Sequence, residues 1–322
     1  MLLLLRFAGR RMVTALPMLA AVAVVTFLLV RLAPGDPVYV LAGEGGTPAY
    51  YALVRQRLGL DRPLPEQLAR YLATLARGDL GWSLHQQRPV GALIVERLPA
   101  TLVLAGAAFL LATAAGLGLG VWAAARAGSV VDRLLLVTAT VGSSLPVFWT
   151  GLLLVLVFAW HLHWVPVQGM MAAPAPDTAA ARVLDVLHHL VLPACALALQ
   201  PLASVSRLMR LKLLEALAEP YIVTARAKGL SQGRVLAHAA RNALLPVLTV
   251  MGGYAQMLVS GAVLTETVFA WPGLGRLALD ATLTRDYPLI LGLVLTGAAS
   301  TVALHWLTDV LYGAIDPRIT YG

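Results

Sequence analysis

Leu98 to Ala125 reads LPATLVLAGAAFLLATAAGLGLGVWAAA, 28 residues without a charged side chain. A bilayer core about 30 Å thick is crossed by a helix of about 20 apolar residues. A barrel strand needs only about ten residues of alternating polarity, and this run is long and does not alternate. Composition agrees. Of 322 residues, 59% are hydrophobic and 12% are charged, about half the roughly 25% charged share of a soluble domain. The fold class is all-α integral membrane protein.

Working outward toward the N-terminus, residues 31–97 carry glycine, proline, eight arginines and six acidic residues. They read as a water-facing segment, partly helical, with an amphipathic piece from Pro65 to Leu75. Before it, Arg6, Arg10 and Arg11 precede an apolar stretch from Met12 to Val30. A secretory signal has a shorter core and a small-residue cleavage site. Here Arg31-Leu-Ala-Pro-Gly-Asp-Pro follows, so the stretch reads as an uncleaved first helix.

Toward the C-terminus, a third span is expected over about 134–160, interrupted at Ser143-Ser144-Leu145-Pro146, with Pro146 as a kink. A loop with Pro166, Pro174 and Pro176 runs to His189. A fourth, short span is expected over about 190–206, despite Pro193, Gln200 and Pro201. Such groups are tolerated where neighbouring helices or a watery cavity satisfy the freed backbone. A charged helical loop covers 207–241. A fifth span covers about 243–264, and a sixth about 288–312. The organisation expected is thus 1–30 as N-terminal end and first span, 31–97 as an extracytoplasmic segment, 98–312 as the core, and 313–322 as a tail.

The formal net charge is +8. In a membrane protein this reflects the Lys and Arg bias of cytoplasmic loops rather than nucleic-acid binding. With both termini cytoplasmic, the inside segments hold thirteen Lys and Arg, and the short outside segments hold three. Long segments count little in this rule, so six spans with N- and C-termini cytoplasmic is the consistent arrangement. Both lysines, Lys212 and Lys228, fall in the 207–241 loop. The lone Cys195 excludes an internal disulfide and a Cys-based metal site.

That loop is the informative one. Its seven basic residues face only Glu215 and Glu219. Tyr221 to Lys228 is a helical run with Pro220 at a favoured start, and Gly229 supplies the left-handed cap. A second helical run begins near Gln232. A helix–Gly–helix on the cytoplasmic side docks into a groove on a soluble partner or lies on anionic lipid, and physics alone leaves both open.

The residues here resemble a known family. The 221–230 loop resembles the signature by which permease subunits of binding-protein-dependent ABC importers meet their ATPases. The whole chain is similar to the first permease of the dipeptide/oligopeptide/nickel branch. The matching motifs are Pro34-Gly35-Asp36-Pro37, Leu58-Gly59-Leu60-Asp61-Arg62-Pro63, Gly78-Asp79-Leu80-Gly81, Ser144-Leu145-Pro146, Arg241-Asn242-Ala243-Leu244-Leu245-Pro246, Glu266-Thr-Val-Phe-Ala-Trp-Pro-Gly-Leu-Gly275, Asp286-Tyr287-Pro288 and Asp316-Pro317-Arg318. Their order and spacing make the match specific. One place departs: where the wider superfamily has a polar, often acidic residue before two small ones, this chain has Val223 before Thr224 and Ala225.

The resemblance implies the type I ABC importer permease fold in a bacterial inner membrane. It implies four kinds of partner: a second similar permease, two ATP-binding subunits, an extracytoplasmic solute-binding protein and the lipid bilayer. ATP and Mg would sit on the partner subunits and no cofactor on this chain, which contains no GxxxxGK[ST] phosphate loop. The cargo implied is a dipeptide or oligopeptide, with nickel chelates or glutathione-like solutes as the alternative. ATPase-coupling candidates are Glu215, Tyr221, Thr224, Ala225, Arg226, Ala227, Lys228 and Gly229. Pathway or gate candidates are Ser143, Ser144, Pro146, Gln200 and Gln256, since polar groups within spans mark pathways unless they bond helix to helix. Trp271, Pro272 and Gly273 are candidates for docking the binding protein, with loop closure as the competing explanation.

Other classes fit less well. A secondary transporter would show buried acidic pairs and broken helices in two related halves, and the spans show few midspan charges and no clear repeat. A membrane hydrolase would need a nucleophile with a positioned base, and Ser143 and Ser144 have no such companion. Imidazole suits nickel, but His161, His163, His188 and His189 are joined by no thiol or carboxylate cluster, so no metal site is assigned.

Overall fold

A computed structural model describes residues 2–32, 38, 47–57 and 59–315. Among them the chain is helical, with one isolated bridge between Trp82 and Pro89. Four helices are long and apolar enough to cross a membrane: α4 (Val90–Ala125), α7 (Ala179–Leu217), α9 (Gln232–Gly261) and α12 (Tyr287–Ile315). A fifth candidate is a bent pair, α5 (Val130–Ser144) with α6 (Val147–Leu154) and the π-turn Val155–His161. The apolar stretch Leu16–Leu32 of α1 (Leu2–Leu32) is shorter. Shorter elements are α2 (Pro48–Arg57), α3 (Leu64–Ala76), α8 (Pro220–Ala227), α10 (Val263–Val268) and α11 (Leu274–Leu283).

Three expectations change. The third span is not one kinked helix: its halves meet at 107° across Leu145-Pro146. Pro146 lacks an amide proton and disfavours helix for Leu145, and Leu145 is extended, with ψ 134°. The fourth span is not short. It is part of a 39-residue helix that runs through Pro193 and Pro201, both buried. Both prolines lie inside it, as expected of the span, but the helix continues well beyond 190–206 at each end. The 207–241 region is therefore mostly the end of α7 and the start of α9, with only α8 and its two turns between them. The motifs at Pro34–Pro37 and Asp316–Arg318, and Leu58, lie outside the described residues.

The chain divides into two compact units, Met1–Pro99 with Gly273–Gly322, and Ala100–Pro272. In the first, Val90, Leu93 and Ile94 of α4 pack on Leu277, Ala281, Leu289 and Leu293 of α11 and α12. Asp286 fastens this unit. Its buried carboxylate accepts from Ser83 Oγ (2.5 Å), Leu84 N (3.2 Å), His85 N (3.1 Å) and, as a cap of α12, Leu289 N (3.4 Å). Gly292 makes room for Val90: a Cβ there would lie 2.5 Å from Val90 Cγ1.

In the second unit α4 and α7 approach through glycines four residues apart. A Cβ at Gly116 would meet Val205 at 2.9 Å, and one at Gly120 would meet the Ser206 carbonyl oxygen at 2.6 Å. This small-xxx-small spacing lets backbones close in where lipid supplies no hydrophobic drive between helices. A second cluster gathers Met209, Leu213 and Ala216 of α7, Ile222 of α8, and Val235, Ala239, Ala243 and Val247 of α9.

Candidate coupling site

The segment from Glu215 to Gln232 is built by local signals. α7 ends at Leu217, and Lys212 Nζ pairs with Glu215 Oε2 at 2.7 Å in its last turns. Glu219 is extended (ψ 148°), Pro220 opens α8, and eight residues later the chain turns. Gly229 has φ +75°, the left-handed region that glycine enters without the Cβ penalty. Its amide donates to Arg226 O (2.9 Å) and Leu230 N donates to Ala225 O (3.2 Å). That pair of bonds is a Schellman motif, which closes the carbonyl end of the helix. Ser231 then precedes α9 in extended conformation.

Ile222 fixes α8 in place. Its side chain is fully buried in the cluster shared by α7 and α9. Burying such a side chain contributes about 1.5–3 kcal/mol, enough to hold an eight-residue helix that would not form alone. Around it, Tyr221, Val223, Thr224, Arg226, Ala227, Lys228 and Gly229 are exposed, and Ala225 is half-buried. Val223 is 66% exposed. Of the eight coupling candidates, the structure thus brings Tyr221 to Gly229 onto one short helix and its closing turn. Glu215 sits apart at the end of α7, engaged by Lys212.

A pair that sequence reading did not single out lies in the same unit. Asp132, buried in the first turn of α5, receives Arg210 of α7 with Nε on Oδ1 at 2.5 Å and Nη2 on Oδ2 at 2.7 Å. Asp132 also accepts from Gly128 N at 2.9 Å, while its own amide donates to Ser129 Oγ at 3.2 Å. The local signal was the Ser129-x-x-Asp132 capping pattern. Nothing in the sequence pointed to Arg210, 78 residues on.

The pathway candidates sit on α5, α7 and α9 and at the break after α5. Ser143 and Ser144 both donate to Thr140 O at 2.9 Å, so their hydroxyls are spent on their own helix. Pro146 and Gln200 are exposed and Gln256 is half-buried. Beside two of them, Gly142 of α5 packs on Leu199 of α7, where a Cβ would fall 3.3 Å from Leu199 Cδ1.

Trp271 is not on the surface as a docking anchor must be. It is fully buried, its indole Nε1 donating to Ala100 O at 2.8 Å. Trp271 N bonds Glu266 O at 2.8 Å around Ala270, whose φ is +49°. Pro272 and Gly273 carry the chain on from this closed turn. A large apolar ring with one donor is best buried with that donor satisfied, and α10 places it so. Glu266, also fully buried, accepts from Thr101 Oγ1 at 2.7 Å.

Three of the four histidines contact backbone carbonyls. His188 Nε2 lies 2.8 Å from Trp164 O, His189 Nδ1 2.8 Å from Asp185 O, and His163 Nδ1 3.3 Å from His161 O. Among the described residues no three His, Cys, Asp or Glu gather as a metal site.

Comparison with known proteins gives a consistent result. Residues 116–321 match the model of the binding-protein-dependent transport system inner membrane component, and residues 4–105 match the N-terminal model of such membrane components. The chain is 42% identical to the di/tripeptide transport system permease protein DppB of Pseudomonas aeruginosa, over 99% of each chain. It is 40% identical to the dipeptide transport system permease protein DppB of Escherichia coli, again over 99% of each, and 40% identical to a putative peptide permease of Brucella suis, over 98% and 99%. A solved structure of the MetNI methionine ABC transporter in inward-facing conformations shares the fold, with TM-score 0.51 at 16% identity over 70% of this chain and 96% of that one. With both family models together covering almost its whole length, the chain belongs to the inner membrane components of binding-protein-dependent transport systems.

Proposed function

We propose that this chain is a permease subunit of an ATP-driven importer of peptides, dipeptides or oligopeptides, and forms half of a translocation pathway across the bacterial inner membrane. The observation that carries the reading is α8: a short helix pinned by Ile222 between two long helices, with its remaining surface exposed. Full-length similarity to proteins named as peptide permeases supports the cargo class.

In this reading both termini are cytoplasmic, in agreement with the excess of Lys and Arg in the short segments of that side. A similar second permease completes the pathway. Two ATP-binding subunits sit below, an extracytoplasmic solute-binding protein delivers cargo from above, and ATP with Mg is bound and hydrolysed on the partner subunits. Gln200, Gln256 and the break at Ser143–Pro146 face the pathway or the second permease.

α8 is the coupling element. Coupling needs an element that two sites both bias. Because Ile222 is buried with Leu213 of α7 and Val235 of α9, a partner that displaces α8 moves the ends of both long helices. The contact surface is apolar at Tyr221 and Val223 and cationic at Arg226 and Lys228. Val223 stands where the superfamily has a polar residue, so the chain relies on apolar burial at that point rather than on a charge.

The test is co-purification from detergent of the tagged chain expressed with its neighbouring genes. Wild type retains an ATPase pair; Gly229→Pro, Val223→Asp and the double Arg226→Ala/Lys228→Ala lose it. A wild-type chain that purifies alone and moves substrate in vesicles without ATP contradicts the reading and favours a secondary transporter.

A further inference from the structure

In the first unit, where α1 ends and α12 begins, the described residues enclose a half-open cavity of about 390 Å³. That volume lies in the range of small-molecule sites. α1 and α12 pack along each other, so the end of the first span and the start of the last place the cavity at one boundary of the membrane. Its walls hold hydrocarbon and aromatic rings as well as three arginines, Arg31, Arg62 and Arg70.

The arginines are not equivalent. Arg62 and Arg70 both pair with Glu66, at 2.5 Å and 3.2 Å. The Asp79 carboxylate, also in the wall, accepts from Gly81 N at 2.8 Å. Arg31 has no carboxylate partner among the described residues. Its guanidinium lies 5.3 Å from the centre of the Phe27 ring, which in turn stacks on Tyr71 at 5.4 Å. Tyr71 Oη and Gln67 Oε1, on residues of the same wall, are buried without hydrogen-bond partners. A half-buried cation beside the unpartnered Tyr71 hydroxyl, a group that can donate, is an arrangement that a bound anion completes.

We propose that this cavity binds the phosphate headgroup of an anionic phospholipid, with Arg31 as the principal phosphate contact. The depth selects lipid: Phe27 and Leu291 lie one turn further into the two spans than Arg31 and Tyr287, and close the membrane-ward side with hydrocarbon. Aromatic and basic side chains at this level are what a headgroup meets. The proposal rests on the membrane-spanning fold and is independent of the cargo.

The test is native mass spectrometry of the purified full chain with phosphatidylglycerol, phosphatidylethanolamine, a dipeptide or inorganic phosphate, each added alone. Wild type and Arg77→Gln, an exposed arginine outside the cavity, retain phosphatidylglycerol in preference to phosphatidylethanolamine. Arg31→Gln weakens retention about fivefold or more, and Arg31→Lys loses less. Equal retention of the two lipids by wild type overturns the proposal without recourse to any variant. Unchanged retention in Arg31→Gln also overturns it. So does an Arg31-dependent adduct of the dipeptide or of inorganic phosphate in place of lipid, which would make this a site for a free carboxylate or phosphate.

Discussion

Asp132 and Arg210, 78 residues apart, meet in a bidentate pair that ties the first turn of α5 to α7. The carboxylate is buried and the guanidinium mostly so. α7 leads within seven residues to its end at Leu217 and then to α8, so this pair braces the helix that precedes the proposed coupling segment.

Removing one member leaves the other uncompensated. Asp132→Ala or Arg210→Ala is expected to lower stability by about 3–5 kcal/mol, whereas the double variant loses less than the sum because no orphaned charge remains. Arg210→Lys keeps the charge but not the fork, and falls between. Thermal unfolding in detergent, followed for the wild type and the four variants, measures this.

Two helix ends carry opposite predictions. Gly229 has φ +75° and open space where a Cβ would sit, so Gly229→Ala is strained in backbone alone, by about 1–2 kcal/mol, and Gly229→Asn by less. Ala270 holds the same kind of position with φ +49°, and Ala270→Gly is expected to stabilise by up to about 1 kcal/mol. Melting temperatures of the three variants read both signs.

The α4–α7 approach is limited by backbone. At Gly120 an added methyl meets the Ser206 carbonyl oxygen, which no rotamer can move. Gly120→Ala is expected to destabilise by about 1–3 kcal/mol with no rescue from trimming Met209. At Gly292 the obstacle is the Val90 side chain, so Gly292→Ala is rescued in part by Val90→Ala. Folded yield by size-exclusion chromatography separates the two cases.

The buried turn around Trp271 predicts structural rather than docking behaviour. Trp271→Phe removes the bond to Ala100 O and Thr101→Val the bond to Glu266. Each is expected to cost about 0.6–2 kcal/mol and to leave affinity for the solute-binding protein unchanged when folded protein is compared. Surface plasmon resonance on reconstituted complex checks the second half.

What was legible in the sequence was local. Pro220, the helix formers after it and Gly229 are contiguous, so start, body and Schellman turn of α8 followed from propensity and φ alone. The 28-residue run at Leu98–Ala125 announced a span by length. What was illegible depended on distant partners. Asp286 carries no local signal of its burial, because its partners Ser83 and the amides of Leu84 and His85 arrive from 201–203 residues away. Trp271 in a Trp-Pro-Gly loop suggests exposure, yet an indole at the end of α10 is buried because Ala100 offers it a carbonyl. The span holding Pro193 and Pro201 was legible, but its extension to Ala179 and Leu217 was not, because the polar and charged residues at both ends carry no apolar signal.

Transport is proposed to be driven by partner ATPases through α8. It is tested most directly by uptake of a labelled dipeptide into proteoliposomes holding the reconstituted transporter, with the solute-binding protein outside and ATP inside. ATP-dependent uptake is expected, falling to background when Ile222→Asp or Gly229→Pro unseats α8. Uptake that persists in those variants, or in wild type without ATP, would contradict it.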